Sequence, residues 1–157
     1  MNRVSKIHVA LFLAIAWFAL PSTAHAQISY GVRAGVSASP DQFYFGGHVE
    51  SPGLTQTGHL ALRPNVELGF GSDVTHLAGN LEIVYWAPLP NSSWTPYFGG
   101  GPGVAYRHSD TEDRAHGVFS GLVGFQHTSG IFTEMKVGSG VGPGLKVTVG
   151  YVLKKKK

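Results

Sequence analysis

Apolar and polar residues alternate along most of the chain from residue 28 onwards. Between Ile28 and Ser39 the even-numbered positions are apolar and the odd-numbered ones are Ser, Gly or Arg. Successive side chains of a β-strand point to opposite faces, so this pattern predicts a strand with one apolar face. Seven further runs with this period, the sixth the least regular, cover residues 43–50, 60–70, 77–85, 98–107, 116–127, 131–138 and 144–153.

Short connections separate these eight runs, and no helical periodicity interrupts them. Pro40-Asp41, Gly71-Ser72-Asp73 and residues 88–93 carry the Gly, Pro, Asn, Asp and Ser residues typical of turns. An antiparallel meander with an even number of strands removes its two edges by closing on itself. The chain is therefore predicted to be all-β, an eight-stranded antiparallel up-and-down barrel.

The first 26 residues have the organisation of a secretory signal peptide. Arg3 and Lys6 precede an apolar run of twelve residues, 9–20, and Ala24-His25-Ala26 supplies a small-x-small cleavage site. Twelve apolar residues are fewer than the roughly 17 that a membrane-spanning helix needs. We expect an exported chain with a signal peptide at 1–26, a barrel domain at 27–153 and a lysine tail at 154–157.

The net charge of +3 comes from the two ends of the chain. Of the 12 Lys and Arg residues, two lie in 1–26 and four in 154–157, which leaves six in the barrel domain against all nine acids. The barrel domain is thus mildly acidic, and no nucleic-acid partner is predicted. The absence of cysteine excludes disulfides, cysteine-ligated zinc and cysteine nucleophiles.

Alternation alone fits either a soluble barrel with an apolar lumen or a membrane barrel with an apolar exterior. The polar faces are rich in Gly, Ser, Asn and Thr, and they carry nearly balanced charges. Such charges can pair inside a narrow lumen, whereas a solvated exterior usually carries more Lys and Glu. The predicted interior charge network is Arg33, Glu50, Arg63, Glu67, Glu82, Arg107, Glu134, Lys136 and Lys146.

Aromatic residues concentrate near the strand ends, as in the girdles of membrane barrels. One predicted girdle contains Tyr30, Tyr85, Trp86, Trp94 and Tyr151, and the other contains Phe43, Phe45, Phe70, Tyr106 and Phe119. The acidic residues of the connections also fall only in the odd-numbered connections, which share the rim opposite both termini. These features favour a transmembrane barrel over a secreted, lipocalin-like carrier of small ligands.

Residues 96–106 read Pro-Tyr-Phe-Gly-Gly-Gly-Pro-Gly-Val-Ala-Tyr. This segment resembles the Pro-Tyr-x-Gly-x-Gly-x-Gly strand of the small outer-membrane barrel proteins of the OmpA/OmpX-like group, and residues 63–75 and 146–151 are also similar to that group. The resemblance implies the outer membrane of a Gram-negative bacterium, contact with its lipid and lipopolysaccharide, and insertion by the barrel-assembly machinery. Members usually end on an aromatic residue, whereas four lysines follow Leu153 here.

Two groups of residues are candidates for chemistry. Asp110, Glu112 and Asp113 cluster in a predicted loop, 109–114, whose carboxylates suit a hard cation, although a solvated loop is the simpler interpretation. His127 and Ser129 resemble the His-x-Ser-Asn motif of lipid A deacylases, with Gly130 replacing Asn and Glu134 as the nearby acid.

A tight turn explains the His127–Ser129 segment better than an esterase site does. The expected function is therefore a non-enzymatic, monomeric barrel without cofactor or bound metal, in a structural, adhesion or envelope-integrity role. Lipid A deacylation and soluble ligand transport remain the alternatives.

Overall fold

The computed structural model describes residues 28–38, 41–52, 54–55, 57–71, 75–109, 112–139 and 144–153. The predicted signal peptide and lysine tail lie outside these residues. The described part of the chain contains eight strands and no helix: β1 (Ser29–Ala38), β2 (Gln42–Pro52), β3 (Leu60–Phe70), β4 (Thr75–Trp86), β5 (Trp94–Ser109), β6 (Glu112–His127), β7 (Ile131–Ser139) and β8 (Leu145–Leu153).

Each strand pairs antiparallel with its neighbours in sequence, and β1 also pairs with β8. The closing ladder runs from Tyr30 opposite Leu153 to Ala38 opposite Leu145. The sheet is therefore a closed up-and-down barrel, and the predicted fold class is confirmed to this extent. No helix among the described residues is long and apolar enough to cross a membrane.

The strands turn their polar faces inward and their apolar faces outward. Along β3, for example, Arg63, Asn65 and Glu67 are buried, while Val66 and Phe70 are exposed. An eight-stranded barrel has an interior just wide enough for side chains to fill it. The lumen is accordingly packed with side chains from all eight strands.

The inward-facing glycines of β5 let the backbone of β4 come close. An ideal Cβ added to Gly101 would meet the carbonyl oxygen of Leu81 at less than contact distance. Gly79, in contrast, faces outward and has open space around an added Cβ. The glycine-rich run 99–103 is therefore explained by strand packing.

Replacing Gly101 by alanine is expected to lower the free energy of unfolding by about 1–3 kcal/mol, because the new methyl group forces two hydrogen-bonded strands apart. Gly79→Ala is the matched control, with an expected change within about 0.5 kcal/mol. Urea titration of the refolded barrels, followed by tryptophan fluorescence, measures both. Equal losses in the two variants would contradict the packing explanation.

Candidate functional site

Glu67 of β3 lies at the centre of a cluster of buried charges in the lumen. Its Oε1 atom is 2.9 Å from Lys136 Nζ and 3.3 Å from Arg33 Nη1, and its Oε2 atom is 2.5 Å from Lys146 Nζ. These cations come from β7, β1 and β8, across the lumen from β3. One carboxylate that is only 2% exposed thus joins four strands.

A second cluster surrounds Arg63, also of β3. Its Nε atom donates to Glu82 Oε2 at 3.1 Å, and its Nη2 atom donates to Glu134 Oε2 at 2.6 Å. Two further ion pairs join this cluster to the first: Arg33–Glu134 at 3.4 Å and Lys136–Glu82 at 2.6 Å. We call the seven connected side chains the lumen ion-pair network: Arg33, Arg63, Glu67, Glu82, Glu134, Lys136 and Lys146.

The structure thus brings together seven of the nine side chains that the sequence assigned to the interior. Glu50 and Arg107 lie on the same faces but nearer the two rims. Glu50 is hydrogen-bonded by the side chain of Trp86. Arg107 is half-buried and lies opposite His76 in the β4–β5 ladder.

Several uncharged side chains that the sequence did not single out extend the hydrogen bonding of this network. His48 Nδ1 lies 3.0 Å from Arg33 Nη2, and the Tyr97 hydroxyl donates to Glu134 Oε2 at 3.1 Å. Next to them, Tyr44 of β2 and Thr148 of β8 share a hydrogen bond over Gly35 of β1. All four lie at the alternate strand positions that face inward, as the charged residues do. This alternation is the sequence signal that could have identified them.

Buried charges are tolerated only when they are paired and hydrogen-bonded, because removing an ion from water costs several kcal/mol. The network satisfies this condition through ion pairs between residues 19 to 101 positions apart in sequence. It links strands that are not neighbours in the sheet. As a direct consequence, ion pairs inside the lumen hold together strands on different sides of the barrel.

The outward faces carry large apolar side chains over the whole barrel. Val149 at the middle of β8 is 59% exposed, and the residues of both predicted girdles apart from Trp86 are exposed as well. The ring of Phe45 stacks on that of Phe70 with 5.8 Å between the ring centroids, and the rings of Tyr85 and Phe98 are 5.2 Å apart by the same measure. The exposed girdle residues fall into two groups. Those towards the end where β1 begins and β8 ends are Tyr30, Tyr85, Trp94 and Tyr151, and those in the remaining parts of the strands are Phe43, Phe45, Phe70, Tyr106 and Phe119.

Trp86 was wrongly assigned to a girdle. It follows Tyr85 directly, and since consecutive strand residues face opposite sides, only one of the two can face outward. The Trp86 ring packs on Tyr97 at 4.7 Å, beside the buried cluster of Val84, Tyr97 and Leu122.

The loop predicted at 109–114 is also wrong in extent. β5 continues to Ser109 and β6 begins at Glu112, so Ser109 pairs with Glu112 and His108 with Asp113. Only residues 110 and 111 lie between the two strands, and two of the three acids predicted in the loop belong to a strand. Asp110 and the side chains of Glu112 and Asp113 lie outside the described structure. Among the described side chains, no group of three or more His, Asp or Glu could hold a metal ion.

His127 and Ser129 lie at the β6–β7 turn, on the rim that carries both termini. His127 Nδ1 accepts a hydrogen bond from the backbone N–H of Ser129 at 3.1 Å and lies 2.9 Å from its hydroxyl. Gly130, with φ of 105°, completes the turn. Glu134, the third residue of the predicted triad, is instead in the lumen and bound to Arg33 and Arg63. The hydrogen bonds of His127 thus serve the turn.

The chain matches no protein-family model, and no curated protein is significantly similar to it.

Proposed function

We propose that this chain is an integral outer-membrane β-barrel that acts without catalysis, in a structural, adhesion or envelope-integrity role. The observation that carries the proposal is the polarity of the barrel, with exposed apolar side chains around the outside and a paired charge network inside. A soluble barrel has the opposite arrangement, because water must solvate its outer surface. A lipid bilayer solvates the apolar exterior and leaves the charges to pair within.

The positions of the aromatic residues and connections support the same proposal. Tyrosine and tryptophan prefer the interface between lipid and water, and Tyr30, Trp94 and Tyr151 lie at the end that carries both termini. In the orientation that we propose, this end faces the periplasm and the acidic connections face outward. There they meet the lipopolysaccharide leaflet.

A lumen filled by ion pairs argues against transport. Arg33, Glu67 and Glu134 are 3% exposed or less, and they meet near the axis of the barrel. The same packing leaves little room for the apolar ligand that a lipocalin-like carrier would hold. The proposal therefore includes neither porin activity nor soluble ligand transport.

The resemblance of residues 96–106 to the OmpA/OmpX-like group supports the proposed location and the proposed assembly route. The barrel-assembly machinery and outer-membrane lipid are the partners that this route implies. A closed barrel has no free sheet edge within the membrane, so a monomer is the proposed state. The lipid A deacylase alternative is weaker, because Glu134 binds two arginines in the lumen instead of His127.

Expression in a Gram-negative host tests this proposal. The protein is expected in the outer-membrane fraction, resistant to extraction by carbonate, and to migrate faster on gels before boiling than after it, as folded membrane barrels do. A chain without residues 1–26, which should remain in the cytosol as aggregate, is the control for export. Recovery of the full-length chain as a water-soluble monomer without detergent would refute the proposal.

A further inference from the structure

A small cavity remains inside the lumen, beside the ion-pair network on the side away from the termini. Its volume is about 20 Å³, and its lining includes Ser37, Gln42, Tyr44, Glu67, His76 and Lys146. A cavity needs roughly 10–15 Å³ to hold one water-sized particle, so this one is large enough for a single small occupant. Polyatomic anions such as phosphate are too large for it.

His76 is the side chain in this lining whose polar atoms lack a partner. It is 5% exposed, and neither ring nitrogen hydrogen-bonds another atom of the described structure. A buried polar group without a partner costs free energy, and such groups usually mark an unseen water or ion. The neutral imidazole carries one N–H donor for such an occupant.

One cationic and one anionic side chain, Lys146 and Glu67, line the cavity. Lys146 contributes an ammonium group with three donors, one of which is directed to Glu67 Oε2. Glu67 is shared with Arg33 and Lys136, so it does not neutralise Lys146 on its own. Over the whole lumen, the nine charged residues that the sequence predicted there comprise five basic and four acidic ones, a net charge of +1.

We propose that this cavity binds one monatomic anion of the size of chloride, held by Lys146 and the N–H group of His76. The anion would satisfy the unpartnered imidazole and balance the single excess positive charge of the lumen, in surroundings where an unbalanced charge is costly. Water could accept the same hydrogen bonds, but it would leave the excess positive charge of the lumen unbalanced. A cation would have to displace the Lys146 ammonium group from Glu67.

Bromide, which scatters X-rays anomalously, tests the site directly. Crystals of the refolded full barrel grown in sodium bromide are expected to show an anomalous peak in the cavity, within contact distance of Lys146 Nζ. Lys146→Met should abolish the peak. Ser120→Ala, which changes a buried lumen position that does not line the cavity, should keep it. A cavity without an anomalous peak in the unchanged protein would overturn the proposal.

A second measurement in solution does not depend on crystals. At constant ionic strength, the urea midpoint of unfolding in nonionic detergent should be higher in sodium chloride than in sodium isethionate, whose anion is too large for the cavity. Ligand binding to the folded state alone produces this difference, and it should vanish in Lys146→Met. Equal midpoints for the unchanged protein in the two salts would also overturn the proposal.

Discussion

Replacing Glu67 by glutamine is expected to lower the free energy of unfolding by about 3–5 kcal/mol, the usual cost of removing one partner from a buried ion pair. The change leaves Arg33, Lys136 and Lys146 in place around a neutral amide. Their mutual repulsion acts in a lumen with little water, so screening is weak. Reversible urea unfolding of the barrel in lipid vesicles or detergent micelles measures the loss.

Two further variants separate the network from a general effect of charge. Asp41→Asn also removes one carboxylate, but at an exposed rim position, and should change stability by no more than about 0.5 kcal/mol. Adding Lys146→Met to Glu67→Gln restores the original charge balance and should recover part of the lost stability. If Glu67→Gln lowered the free energy of unfolding by no more than Asp41→Asn does, the ion pairs of the lumen would not stabilise the barrel.

The sequence was sufficient to predict the strands and the residues that share each face, because both follow from a period of two. In β3 the predicted range 60–70 agrees with the observed strand, and the buried and exposed positions follow the alternation of polar and apolar residues. In β8 the prediction is one residue too long at its start, since the strand begins at Leu145. Side-chain parity is a local property, so local sequence determines it.

Contacts across the lumen could not be predicted in the same way. The alternation of residues along β7 predicts that Glu134 points inward. Its contact with Arg33 and Arg63 depends, in addition, on the stagger of the strands around the barrel. The same holds for the cavity beside His76, which depends on how the side chains of six strands fill the lumen. The extent of the loop predicted at 109–114 was wrong for another reason: these residues are polar, and polar residues suit paired strand ends as well as a longer loop.

Substitution of Val149 by arginine is expected to cost about 2–4 kcal/mol of unfolding free energy when the barrel is in a lipid bilayer. Val149 is 59% exposed, on the outward face at the middle of β8. In the proposed orientation its side chain lies near the centre of the bilayer, where a guanidinium group has no water to solvate it. Reversible urea unfolding from phospholipid vesicles measures the cost without the assembly machinery.

Leu153→Arg is the matched control, since Leu153 lies on the same face of the same strand, at its last residue, and is 54% exposed. Near the interface an arginine reaches water, and its cost falls to about 0–1 kcal/mol. The difference between the two variants therefore reports depth in lipid. A soluble barrel has water along the whole strand, so both substitutions would then stay within about 0.5 kcal/mol, and that result would exclude a membrane-spanning barrel.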